Sequence, residues 1–194
     1  DSKVVEPNGA PSLMYHGTKE DFEEFDSTSG IFFTKERYVA KMYSKDAIVK
    51  MNEGTETIVP AYLRIESPID IRGLGLISTR RKFINYVKSI SGDTEFNPEG
   101  GFEGDLDDKV PVWEIVTDYN GEFYGHLDEI GYDGIYIKDE NDIEHESYIV
   151  WNANQAKHAA ENNGDWSRND SRLRFQKSVP KDPSIAKVRD FMPD

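Results

Sequence analysis

Apolar residues in this chain fall in short clusters between long polar stretches, and the period inside each cluster separates strand from helix. Ser12 to His16 reads as a short strand ending at Gly17, and Gly30 to Phe33 as a second. Between them, Phe22 and Phe25 stand three apart among six charged residues and predict a short helical turn with both rings facing the core. Thr34 then stands as an N-cap with Glu36 near the positive end of a helix over Lys35 to Ser44, whose inner face carries Val39 and Tyr43. Thr57 to Ile65 alternates, with Val59, Ala61, Leu63 and Ile65 on one face. Pro60 argues for an edge position, Ser67-Pro68 marks the end, and Ile69 to Ile71 is a brief continuation.

The second half repeats the mixture. Arg80 to Ile90 carries Phe83, Ile84, Tyr86 and Val87 at helical spacing. Residues 91–109 are rich in Gly, Asp and Glu and read as an exposed loop, and Val110 to Ile130 as one or two helices broken near Asn120-Gly121. Gly131 to Gly134 is a turn, Ile135 to Ile137 a strand, Asp139 to Asp142 a further turn, and His145 to Trp151 a last strand. Strands near both ends with helices between predict α+β with mainly antiparallel pairing. The expected organisation is a polar tether over 1–11, one domain over 12–175 and a polar tail over 176–194, with poor order from 162 onward. There is no internal repeat.

Composition narrows the choice of function more than of fold. With 194 residues the chain is long enough for one well-buried core and short for two domains. Apolar residues are only 37%, but ten Tyr and ten Phe each bury a large area. The formal charge of −14 repels phosphate backbones, so no nucleic-acid partner is expected, and a substrate attracted over long range is basic or neutral. The absence of cysteine excludes disulfides, thiol nucleophiles and Cys-ligated zinc. No apolar run approaches a membrane span, so no membrane partner is expected; a soluble chain, cytoplasmic or secreted, fits equally. Residue 1 is Asp, which is compatible with processing or excision from a longer chain.

Candidate chemistry concentrates near the start. In Met14-Tyr15-His16-Gly17-Thr18 the histidine can hydrogen-bond a sugar hydroxyl, and the glycine lets a ligand amide approach the backbone. Gly30-Ile31-Phe32-Phe33-Thr34 and Tyr43 add faces on which a planar pyridinium can stack. One of Phe32 and Phe33 belongs to the core, since strand neighbours face opposite ways. There is no G-x-G-x-x-G, G-K-[ST] or H-E-x-x-H motif, and His126, His145 and His158 are too scattered to suggest a metal site.

These pieces, with Glu66-Ser67-Pro68, Gly131-Tyr132-Asp133-Gly134-Ile135, Tyr148-Ile149-Val150-Trp151 and Asn162-Asn163-Gly164-Asp165-Trp166, resemble in order and spacing the ADP-ribosyltransferase superfamily. The branch is that of diphtheria toxin and the poly(ADP-ribose) polymerases, and the likeness is strongest to the compact transferases of phage polyvalent proteins. It spans residues 12–175, with nothing matched over 72–125. The resemblance implies a split β-core of two small antiparallel sheets with flanking helices, holding NAD as substrate in the cleft. The nicotinamide–ribose bond breaks and ADP-ribose passes to an acceptor, expected to be a protein. It also implies His16 on a ribose hydroxyl, the Gly17 backbone on the nicotinamide amide, the ring between Phe32 and Tyr43, and Thr18 among the residues that bind the cofactor. No metal is required.

The chain departs from that pattern in three places. Phe32 stands where Tyr is usual, Ala40 where a serine is common, and Ser147 where the catalytic glutamate is expected. Glu146 is the first choice of catalytic carboxylate, provided a bulge turns it into the cleft; a site without a catalytic carboxylate comes next, and Glu144 after it. The readings that follow are an active transferase, an NAD-binding module without catalysis, or an interaction domain of a larger phage or effector polypeptide.

Overall fold

The computed structural model describes residues 1–26, 30–51, 54–93, 95, 104–117, 122–161 and 169–174. In chain order they form strands β1 (Met14–Thr18) and β2 (Ile31–Thr34), helix α1 (Arg37–Met51), and strands β3 (Thr57–Leu63), β4 (Pro68–Asp70) and β5 (Ile77–Thr79). Helix α2 (Arg80–Ser91), strand β6 (Lys109–Pro111) and helices α3 (Val112–Thr117) and α4 (Glu122–Glu129) follow, then strands β7 (Gly134–Asn141), β8 (Ile143–Val150) and β9 (Ala156–His158). The α+β class is as the sequence predicts. In place of two small antiparallel sheets there is one seven-stranded mixed sheet, ordered β4-β7-β8-β2-β1-β3-β9, and a separate β5–β6 pair.

Local rules account for most of these elements. Val59, Ala61, Leu63 and Ile65 are all buried, as their alternation requires. Thr79 caps α2 by accepting the Lys82 amide at 3.1 Å, Gly92 ends it in the left-handed region at φ 75, and Phe83, Ile84 and Val87 are buried. Phe22 and Phe25 do meet the core, but no helix carries them among the described residues. Helix α1 begins at Arg37, two residues later than expected, because the Thr34 hydroxyl accepts the Glu36 amide at 3.2 Å and the Glu36 carbonyl accepts the first helical amides. The break near Asn120-Gly121 lies outside the described residues, as does most of the tail beyond 161.

Three expectations change for non-local reasons. β3 is not an edge strand: β9 lies outside it. Pro60 is tolerated because its carbonyl accepts the Ala159 amide, so its missing N–H also points to that side, beyond the end of three-residue β9. β4 does not continue β3 but crosses to the opposite edge and pairs in parallel with β7. Within residues 1–11, read as a tether, Val4 is buried and the Lys3 amide donates to the Ile65 carbonyl, while residues 5–11 are exposed.

The large sheet has an apolar cluster on each face. One, with Ile69, Phe83, Ile115, Leu127, Ile137 and Ile149, lies under α2, α3 and α4. The other, with Met14, Phe25, Phe33, Leu63 and Val150, takes in Leu173. The ladder is thinnest between β1 and β2, which are joined only at Tyr15↔Thr34.

Candidate functional site

Where β1 and β2 part, a cavity of about 570 Å³ opens. β1 supplies Tyr15, His16 and Gly17, β2 supplies Phe32, Phe33 and Thr34, and α1 adds Ala40, Tyr43 and Asp46. Trp113 and Thr117 of α3, with Asp139, Glu140 and Ser147 of the β7–β8 hairpin, complete the wall. Gly17 brings β1 and α1 together: a methyl group there would fall inside the van der Waals radius of the Ala40 carbonyl oxygen, so only glycine allows this approach.

His16 is set in the opening between the strands. Its Nδ1 lies 2.8 Å from the Phe32 carbonyl oxygen, which can only accept, so that nitrogen carries the proton. The ring is held edge-on to Phe25 at 5.1 Å and tilted on Phe33 at 5.5 Å. Burial pushes its pKa below the ordinary value, against the opposing pull of the Phe32 carbonyl. The neutral ring therefore offers a lone pair at Nε2, which has no hydrogen-bond partner among the described residues.

The opposite wall holds a carboxylate. Asp139 is 3% exposed. Its Oδ2 accepts the Tyr43 hydroxyl at 3.1 Å and the Ser147 hydroxyl at 2.9 Å, and its Oδ1 accepts the Glu140 amide at 2.8 Å. His145 donates from Nδ1 to the Ile143 carbonyl and brings Nε2 to 3.4 Å from both hydroxyl oxygens and 3.7 Å from Asp139. Burial first, and then the Asp139 charge, pushes the Tyr43 pKa well up, so the phenol stays protonated and donating. No Lys or Arg lines the cavity among the described residues.

The residues singled out from sequence divide cleanly. His16, Gly17, Phe32 and Tyr43 come from three elements to one cavity. Phe33, the strand neighbour of Phe32, is core at 1% exposure although it reaches the cavity wall. Thr18 is not in the wall; it pairs with Thr57, and its hydroxyl accepts the Glu20 amide. Glu146 and Glu144 are outside it as well. β7 and β8 pair without interruption from Ile135↔Ile149 to Asn141↔Ile143, so no bulge reorients Glu146, and strand alternation puts it on the face opposite Ser147. There its oxygens bind Arg72 at 2.8 Å and the Tyr148 hydroxyl at 3.0 Å, while Glu144 meets Lys138 at 3.3 Å.

Asp139 does not stand out in the sequence, because Asp139-Glu140-Asn141-Asp142 reads as a turn. A signal was present: Ile135, Ile137 and Asp139 continue one period-2 face whose first two members are fully buried.

A family model described as ADP-ribosyltransferase in polyvalent proteins matches residues 6–166. No curated protein and no solved structure matches the chain.

Proposed function

The chain belongs to the family of ADP-ribosyltransferases in polyvalent proteins, and on that premise we propose that it cleaves the nicotinamide–ribose bond of NAD and passes ADP-ribose to an acceptor. The observation that carries this is the convergence of His16, Gly17, Phe32 and Tyr43 on one cavity. The residues present fit the substrate's reactive end. Half-buried aromatic faces and acidic walls, with no Lys or Arg among the described residues, favour a planar cation over a phosphate. The Nε2 of His16, without a hydrogen-bond partner among the described residues, suits a ribose hydroxyl, which can donate to it. The thin β1–β2 junction beside the cavity supports the reading, since the resemblance implies a cleft where the core divides.

The acceptor we favour is a protein, and the charge of −14 favours a basic or neutral surface on it. Neither nucleic acid nor membrane is a proposed partner; no helix among the described residues is long and apolar enough to cross a membrane. The test is incubation with NAD, following nicotinamide release and NAD-induced thermal stabilisation, with His16→Ala as control. Release that disappears in His16→Ala supports the reading; neither release nor stabilisation at millimolar NAD sinks it.

One observation favours a second reading, an NAD-binding module without catalysis. Ser147 stands where the family's glutamate is expected, and Glu146 faces away, paired with Arg72. That reading predicts thermal stabilisation by NAD with no nicotinamide release.

A further inference from the structure

We infer that Asp139, acting with Ser147, supplies the negative charge this site needs, so that the carboxylate comes from the strand beside the expected one. The inference rests on the transferase reading above. Ser147 and Asp139 lie diagonally across the β7–β8 pair on the same face, and the Ser147 hydroxyl donates to Asp139 Oδ2 at 2.9 Å. The serine at the expected glutamate position is therefore joined to a carboxylate.

Geometry and charge both set Asp139 apart. It lines the cavity at 3% exposure, where water screens its charge little. Its contacts are two hydroxyls, one backbone amide and the buried His145 ring 3.7 Å away, with no Lys or Arg against it among the described residues. Glu146, by contrast, is neutralised by Arg72 and its side chain is 45% exposed. Because the Ser147 proton points at Asp139, the oxygen meets other groups with its two lone pairs; His145 Nε2 stands 3.4 Å from it, and a second lone pair can accept a sugar hydroxyl.

In the reaction, the bond between the pyridinium nitrogen and ribose C1′ breaks. Its electron pair leaves with nicotinamide, which becomes neutral, and positive charge spreads over C1′ and the ring oxygen. A lone pair of the acceptor, water in the test below, forms the new bond to C1′, and its proton passes to solvent. Asp139 forms no bond and takes no proton. It stabilises the cationic transition state through a fixed buried charge, and Ser147 is the group that meets the sugar.

The experiment measures nicotinamide release from NAD in water, with kcat and KM separated, alongside NAD-induced thermal stabilisation. Asp139→Asn is expected to lower kcat roughly 100-fold or more while KM and the thermal shift stay within a few-fold. The exchanged variant Asp139→Ser with Ser147→Asp keeps a carboxylate–hydroxyl pair and moves the charge one strand over; it is expected to stay within about tenfold of wild type. Wild-type turnover in Asp139→Asn overturns the inference, as does Glu146→Gln carrying the loss instead; both leave the transferase reading standing. If Asp139→Asn does not fold, the exchanged variant decides: folded and inactive, it overturns the inference. A wild type that is stabilised by NAD but releases no nicotinamide overturns the inference together with the transfer reading, and leaves NAD binding intact.

Discussion

The two faces of the β7–β8 hairpin are built from one stretch of sequence, yet treat carboxylates in opposite ways. On the outer face Glu146 and Glu144 are half-exposed and each meets a cation, Arg72 or Lys138. On the cavity face Asp139 is sealed from solvent and is held by hydroxyls and an amide. An exposed carboxylate tolerates either arrangement, because water screens it. A buried one must have its hydrogen bonds supplied by the fold. Nearness in sequence to an expected catalytic position is thus a poor guide to the cavity, whereas strand parity is a good one.

The contrast breaks hardest from the far wall. Gly17→Ala must push α1, and Tyr43 with it, off β1; we expect a loss of about 3 kcal/mol or more in urea unfolding, with the Tyr43–Asp139 bond lost. Ser147→Ala removes one of the two hydroxyls at Asp139 and is expected to cost about 1–3 kcal/mol by the same measurement. On the outer face Glu146→Gln and Lys138→Ala should each cost under about 1 kcal/mol, since both pairs are solvent-screened. A larger loss there than at Ser147 would reverse the comparison.

Acid separates the two sides of the molecule more gently. His16 and His158 both titrate below their ordinary value because burial disfavours their charged forms. Below pH about 6.5 the unfolded chain then holds more protons than the folded one, so stability rises with pH through that window and levels off above it. Asp70, on the outer side, is held below the usual carboxylate range by Arg72 and is silent there. Melting temperature against pH should fall below pH 6.5, and His16→Gln should flatten that slope.

Much of this was legible along the chain because it follows local rules. The inner face of β3, helix α2 and the last strand all come from periodicity, and the cavity's aromatic and histidine members sit on elements the pattern places correctly. What escaped depends on distant partners. Asp139 looks like part of a turn until Tyr43, 96 residues earlier, and the paired strand β8 supply its hydrogen bonds. β4 looks like the tail of β3 until β7 offers an edge, and β5 and β6, three residues each, have too few positions to show a period. The carboxylates Glu146 and Glu144 stand out by position alone, and only the unbroken register shows which way they face.

The lone Tyr15↔Thr34 rung carries one more consequence. A sheet is only as stiff as its weakest seam, so the strands on either side of this one can shift against each other at little cost in backbone bonding. A molecule gripped by β1 on one side and β2 on the other would act as a suture across that seam, and backbone amides far from the cavity should exchange more slowly once it is in place.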